Sequence, residues 1–459
     1  MTFRCDRLSQ VLVSAALAMV PAGAQTASSL EAVSERLGQL ERQNGELQEQ
    51  VRLLRQQVDQ LRQTAPAAES ERLTAVEERV QIQEGRLAEQ DQVKVETAQR
   101  VPVRLTGMAL FNLFTNGQHS GGGDNPTIAA INPTARSSGG TFRQSVIGLD
   151  FNGPEGMLGG HFRGQVMLDL FSGSGDVLNQ NVRLRTAFIE GQWQSWGLLV
   201  GQEKPIMAPR EPNSLAQVGI SPLTAAGNLW RWRPQVRVEK TIGLGRGSTL
   251  QARFGVSQTE ERYAPIAAPE YDLPVEARRP GFEGRFQFAH AFDDFRRIEI
   301  APGFHWSNTH VGGFSIPSSV FTLDWFYNPH RRFEFTGAFF TGQNLANLGG
   351  GGVRQGYTIF RRNGVFSAVP VRTDGGWAQA TFLATSRLSF NVYTGLDDPN
   401  NRDLGPNGVT KNQAAAANLF YKVGPNVVFG VEFSRVRTRY VTGPRPINNH
   451  YDLAVAYLF

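Results

Sequence analysis

Residues 248–257 read STLQARFGVS, and this stretch decides how the chain folds. In an extended strand successive side chains point to opposite faces. Leu250, Ala252, Phe254 and Val256 therefore share one face, and Thr249, Gln251, Arg253 and Gly255 share the other. The neighbouring text repeats the pattern. Val236 and Val238 oppose Arg231, Arg233, Arg237 and Glu239; Ile298, Ile300, Phe304 and Trp306 oppose Arg297, Glu299 and His305. A ribbon with an aromatic face and a charged face has two physical solutions. Either the apolar face packs a sandwich core, or it meets lipid while the charges line a water-filled lumen.

Extending the reading outward predicts strands at 103–115, 141–153, 159–171, 182–193, 196–203, 230–243, 248–257, 281–293, 295–306, 316–328, 331–343, 375–384, 386–396, 411–424, 425–439 and 447–459, sixteen in all. The connections are expected to alternate strictly between short turns, such as Gln194-Ser195 and Pro329-His330, and long Gly/Pro/Asn-rich loops, such as 116–140, 204–229, 258–280 and 345–374. A sandwich has no reason to shorten every second turn. An up-and-down barrel spanning an outer membrane does, because one rim carries tight periplasmic turns and the other carries external loops. Closure is required, since hydrocarbon offers no partner to an open sheet edge. The fold class read here is an all-β transmembrane barrel of 16 antiparallel strands over residues 101–459, preceded by an α-helical coiled coil.

That preceding segment has a different texture. Residues 1–24 read as an export signal: Arg4 and Arg7 precede the apolar run Val11 to Val20, and Ala22-Gly23-Ala24 suits signal peptidase. Residues 25–100 read as a periplasmic oligomerisation segment. Leu30, Val33, Leu37, Leu40, Asn44, Leu47, Val51, Leu54, Val58 and Leu61 step by three and four along a coiled-coil seam, with Asn44 as a buried polar register element. A poorer helical pattern follows from Glu71 to about Gln99. No unbroken run of 18 apolar residues exists, so the mature chain has no helical span. The single cysteine, Cys5, falls in the expected signal, which excludes cysteine chemistry from the mature protein.

The last predicted strand alternates Tyr451, Leu453, Val455, Tyr457 and Phe459. Here the sequence resembles bacterial outer-membrane porins, whose barrels close with a strand ending in an aromatic residue, so Phe459 is the expected barrel-assembly signal. Val200-Gly201-Gln202-Glu203-Lys204-Pro205 resembles the G-Q-x-K-x-P strand end of the phosphate-selective-type porins, with Pro205 placed directly after Lys204. The coiled coil ahead of the barrel is similar to the arrangement in the dicarboxylate-channel porins. The resemblance implies a passive, trimeric diffusion channel, and it implies that the third external loop, 204–229, folds inward to narrow the pore.

Charge indicates what passes. The whole chain carries 46 basic and 41 acidic residues. Two basic and one acidic residue belong to 1–24, ten and fourteen to 25–100, which leaves 34 basic and 26 acidic in the barrel. All of those 34 except Lys204, Lys240, Lys411 and Lys422 are arginine, which stays charged and holds carboxylate or phosphate with two parallel hydrogen bonds. Such a lumen enriches small anions such as phosphate or carboxylates. The candidate pore-lining residues are Lys204 and Arg210 in the inward loop and Arg183, Arg185, Arg231, Arg233, Arg237, Arg253 and Arg285 on the wall. Rim arginines are the expected partners of outer-membrane lipid and lipopolysaccharide phosphates, and self-association as a homotrimer is expected.

Catalytic and cofactor motifs are absent from the text: there is no GxSxG, P-loop or HExxH, no Ser/His/Asp grouping is visible by spacing, and neither cofactor nor resident metal is expected. Residues 397–403, DDPNNRD, are read as an external loop rather than a Ca²⁺ site. Basic residues scattered along strands do not suit nucleic acid. A barrel-borne enzyme or adhesin, and a tether reaching the periplasm through the coiled coil, are the alternative function classes.

Overall fold

The computed structural model describes residues 103–155, 159–172, 180–259, 273–352 and 355–459. The expected signal at 1–24 and coiled coil at 25–100, with its seam from Leu37 to Leu61, lie outside them.

The strands are β1 Val103–Asn116, β2 Ser137–Thr141, β3 Val146–Glu155, β4 His161–Ser172, β5 Asn181–Gln192, β6 Trp196–Glu203, β7 Arg233–Gly245, β8 Ser248–Ser257, β9 Gly281–Ala291, β10 Arg297–Val311, β11 Phe314–His330, β12 Phe333–Gln343, β13 Tyr357–Arg362, β14 Val365–Pro370, β15 Arg372–Leu383, β16 Leu388–Pro399, β17 Val409–Val423, β18 Val427–Tyr440 and β19 Ile447–Leu458. All but β13 and β14 join one 17-stranded antiparallel sheet. β2 and β3 both pair with β1, at Asn112–Asn116 and Val103–Met108 respectively, so they share one position and the barrel has sixteen staves. β1 also pairs with β19, from Met108 opposite Leu458 to Asn116 opposite His450, which closes the cylinder. At the seam Gly107 and Phe459 exchange backbone hydrogen bonds of 2.9 and 3.2 Å.

Burial follows the alternation. On β18 the outward Phe429, Val431 and Phe433 are exposed, while Glu432, Ser434 and Thr438 are buried. Aromatics gather into two belts: the exposed Phe333 and Phe390 stack on the half-buried Phe382 beside the short turns, and Phe282 stacks on Trp306 towards the opposite rim. Outward hydrocarbon between aromatic belts is the surface that a bilayer accommodates.

Several boundaries differ from the sequence reading. The expected strand at 141–153 is interrupted at 142–145, where the Ser145 hydroxyl takes up the N–H of Leu110 at 2.9 Å and donates to its carbonyl at 3.2 Å in place of a continuous ladder. The expected loop between 306 and 316 does not exist. β10 and β11 continue through the register pair Val311–Phe314 and turn at Gly312-Gly313, so the long and short connections do not alternate strictly. The extension persists because Val311 and Ile316 are buried against Tyr357 of the β13–β14 hairpin. That hairpin corrects the expectation of a loop throughout 345–374. Asp397 to Pro399 belong to β16, not to a loop, and Arg231 precedes β7 instead of lying on it.

Candidate functional site: the loop through the lumen

Residues 204–232 connect β6 to β7, and their hydrogen bonds trace a path around the inside of the barrel. The N–H of Ile206 donates to Glu283 on β9 at 2.7 Å, and Thr322 on β11 donates to the carbonyl of Met207 at 2.8 Å. Arg210 binds Asp324 at 2.6 Å and also Glu299. Asn213 donates to Gln379 on β15 and accepts from Asn418 on β17, at 2.7 and 2.8 Å. Ser214 donates to Glu432 on β18 at 2.7 Å, and Asn112 on β1 donates to the carbonyl of Leu215 at 2.9 Å. The 142–145 interruption then contributes Gln144, which clamps Ala216 and Val218, each at 2.6 Å. Finally Arg185 on β5 donates to the Val218 carbonyl at 2.7 Å and Arg183 to that of Gly219. In the order of the sheet this is one traverse of the wall from β9 through β11, β15, β18 and β1 to β5.

The circuit is tied where it meets its own beginning. Glu211 accepts from Lys204 at 2.6 Å and from Ser221 at 2.7 Å. Burial pushes the Glu211 carboxyl up, but Lys204, Ser221 and Arg185 beside it hold it below the usual range. The chain then crosses to the other wall. Asn412 donates to the carbonyl of Ala225 at 2.8 Å, and the N–H of Gly227 donates to Asp397 at 2.9 Å. Gly227 has φ +104°, and a Cβ there would lie 2.1 Å from the Gly376 carbonyl oxygen, so only glycine passes this close to β15. Leu223 and Ala226 pack on Trp377, Tyr393 and Ala416, while Met207 and Leu229 pack on Val320, Phe340 and Leu348. These two buried apolar clusters thus sit between the loop and the wall.

The structure brings most of the sequence-derived cations to this loop. Lys204 and Arg210 belong to it. Arg183 and Arg185 share Asp169, with ion pairs of 2.6 and 3.2 Å, and both guanidinium groups lie near the Trp232 ring, at 5.2 and 4.6 Å from its centroid. Arg233 is buried and donates to the Asn347 carbonyl at 2.8 Å. Arg285 is buried on Asp324, the carboxylate that also holds Arg210. Arg237 and Arg253 lie beside Glu190 at 4.0 Å and Glu239 at 3.1 Å respectively, and Arg253 stands in register with Arg285. Arg231 lies at the loop's end, where its N–H meets the Leu348 carbonyl at 3.5 Å. Residue parity placed these cations inward; the carboxylates that neutralise them are distant in sequence and were not paired beforehand.

Exposure within these pairs is unequal. Arg183 is 29% exposed at its side chain and Asp169 0%; Arg210 is 20% exposed and Asp324 1%. Arg163, which sequence reasoning did not single out, is 58% exposed against 3% for Glu190. At Asp169, Asp324 and Glu190 the lumen therefore meets Arg183, Arg210 and Arg163 more than the carboxylates, whereas Lys204 and Glu211 are equally exposed, at 31% and 30%.

Sequence reasoning also missed a Ser/His/acid grouping. His305 lies 2.9 Å from Ser307 and 3.1 Å from Glu283, with Ser257 donating to the same carboxylate at 3.3 Å. The i, i+2 spacing of His305 and Ser307 on one strand face is legible, but Glu283 is supplied by the adjacent strand. All three are buried, and the second oxygen of Glu283 is capped by Ile206, so the group anchors the loop and offers no accessible nucleophile. Among the described residues no group of three or more His, Cys, Asp or Glu side chains is arranged to hold a metal ion.

No known protein-family profile matches the sequence, and no curated relative does so. Solved structures do. The outer membrane channel DcaP of Acinetobacter baumannii superposes with a TM-score of 0.60 at 16% identity, over 78% of this chain and 97% of that one. An anion-selective porin from Comamonas acidovorans superposes with a TM-score of 0.51 at 12% identity, over 78% and 99%. The fold of the described residues between 103 and 459, a closed sixteen-staved antiparallel barrel, is that of these bacterial outer-membrane porins.

Proposed function

We propose that the protein is a passive diffusion channel of the outer membrane, trimeric and selective for small anions. The observation that carries the anion preference is the unequal exposure within the lumen ion pairs. A solute passing the 204–232 loop meets the guanidinium groups of Arg183 and Arg210, whereas Asp169 and Asp324 are shielded by the wall. Fixed positive groups at a narrow, low-dielectric passage raise the local anion concentration. Distributing them among several arginines avoids a single deep trap, which conduction requires. Phosphate and small carboxylates suit the planar two-pronged donor of arginine. The Ser307–His305–Glu283 grouping is buried and offers no accessible nucleophile, which supports passage over the alternative of a barrel-borne enzyme.

The test is a reversal-potential measurement in planar bilayers under a KCl gradient. The unmodified protein should favour chloride. Arg183→Gln combined with Arg210→Gln should lower the anion-to-cation permeability ratio by at least about twofold, the loss expected when two fixed charges leave a focused field. A cation-selective parent channel, or a variant with unchanged selectivity, would overturn the reading.

A further inference from the structure

The outer wall carries a charged feature that conduction does not use. On β18 the residues beyond Phe433 continue outward as Arg435, Arg437 and Arg439, at alternate positions where the barrel otherwise exposes hydrocarbon. Arg435 pairs in register with Ala415 on β17 and Asn449 on β19, and Arg437 with Gln413 and Ile447, so no cross-strand partner is acidic. Arg439 stands directly opposite Lys411, an arrangement of like charges that destabilises a sheet on its own. Lys411 binds Asp398 at 2.5 Å. Arg435 and Arg437 enter no ion pair or hydrogen bond with any described residue. Their height matters. Eight residues separate Val427, beside the short turn, from Arg435, or about 26 Å along a strand at 3.3 Å per residue. A tilt of about 40° reduces this to roughly 20 Å, close to the outer edge of an apolar band about 25 Å tall. The tilted ring pair Phe433–Tyr451, 5.0 Å between centroids, lies just below.

Beside this column runs a valley of about 740 Å³. Its floor is built of small side chains on β15, β16 and β17, including Gly376, Ala378, Thr394 and Ala415. Trp325 and Phe339 form one bank, and Arg435 and Arg437 the other; Asp374 and Asp398 stand at the rim end. A hydrocarbon trough flanked by unpaired guanidinium groups near headgroup height has the polarity profile of an acylated, phosphorylated lipid.

We propose that the valley and the Arg435–Arg437–Arg439 column form a specific site for the phosphorylated glycolipid of the outer leaflet, lipopolysaccharide, with an acyl chain in the valley and a lipid A phosphate on the arginines. Guanidinium binds phosphate through two parallel, charge-assisted hydrogen bonds, and a phosphate between Arg439 and Lys411 relieves their mutual repulsion. A second copy of the chain fits less well. Other outward surface on β1, β3 and β6 offers Val103, Leu105, Ile147, Leu149, Leu198 and Val200, which give an unpaired guanidinium nothing to bind.

The full-length protein, extracted in detergent, is to be stripped of endogenous lipid and titrated with deep-rough lipopolysaccharide, its dephosphorylated form, or phosphatidylglycerol, with bound lipid counted by native mass spectrometry. The parent protein should retain deep-rough lipopolysaccharide about tenfold better than the dephosphorylated form, and Arg435→Gln with Arg437→Gln should abolish that preference. Thr394→Trp, which fills the valley and leaves the charges, should weaken retention independently, and heat-modifiable gel mobility confirms that each variant is folded. Equal retention by parent and charge variant overturns the proposal. So does equal retention of phosphatidylglycerol, which identifies a general phospholipid surface, and so does loss of oligomer without loss of lipid, which identifies a contact between copies.

Discussion

Asp397 illustrates how one buried carboxylate organises two distant segments. It is fully buried and accepts the N–H of Gly227 from the lumen loop and that of Gly352 from the connection after β12, each at 2.9 Å. Neither glycine has a side chain that might substitute for the bond. Asp397→Ala strands two buried donors, at about 1–3 kcal/mol for each unsatisfied group. Amide exchange at Gly227 and Gly352 should accelerate by one to several orders of magnitude, while exchange in β16 below Leu396 stays unchanged. Exchange at the parent rate would show that the carboxylate is not the latch. Arg210 has a comparable role a few staves away, where it joins Asp324 of β11 to Glu299 of β10. Its partial exposure leaves part of the guanidinium facing the lumen, so a single side chain both fastens the loop and presents charge.

At the scale of the element, the 204–232 loop is held by wall side chains from most of the circumference, and it buries apolar residues of its own. Met207, Leu223, Ala226 and Leu229 all lie in clusters between loop and wall. Pro205, Pro209, Pro212 and Pro222 restrict φ along it, which lowers the entropy lost on ordering. The loop is thus a built part of the lumen and not a mobile strap. Replacing residues 206–228 with a short Gly/Ser linker should raise single-channel conductance severalfold and make the current less anion-selective, because the passage widens and Arg210 is lost. Unchanged conductance in planar bilayers would mean that the narrowest passage lies elsewhere. The wall cations Arg237 and Arg253 should then still contribute selectivity from their places on β7 and β8.

At the scale of the whole molecule, the proposed trimer joins two kinds of structure: a barrel closed between β1 and β19, and the expected coiled coil of residues 25–100, with Asn44 in its seam. Each barrel completes its own hydrogen-bonded ladder, so its fold does not require the helices. Deleting residues 25–100 while retaining the export signal should therefore lower the temperature at which the oligomer dissociates, while conductance per barrel stays within about twofold of the parent. Oligomer melting identical to that of the parent would remove the assembly role from the segment.

The strand pattern was legible because a barrel wall is a two-solvent surface, and each side chain records which solvent it faces. Leu250, Phe254 and Val256 against Arg253 suffices to read that from sequence, and counting the turns yields sixteen staves. The inward parity of Arg183, Arg185, Arg237 and Arg285 followed from the same rule. The partners did not. Asp324 is 114 residues from Arg210, and Glu432 is 218 from Ser214, separations that no local pattern encodes. The length of the β10–β11 hairpin was equally hidden, since its last residues are strand only because Tyr357 of another hairpin covers them. Alternation along the chain determined the barrel and which face of it is wet, since that choice is made residue by residue against solvent. Which charges cancel, which remain exposed and which walls are tied together were decided only when a loop threaded the lumen, because those properties belong to contacts between segments and not to any segment alone.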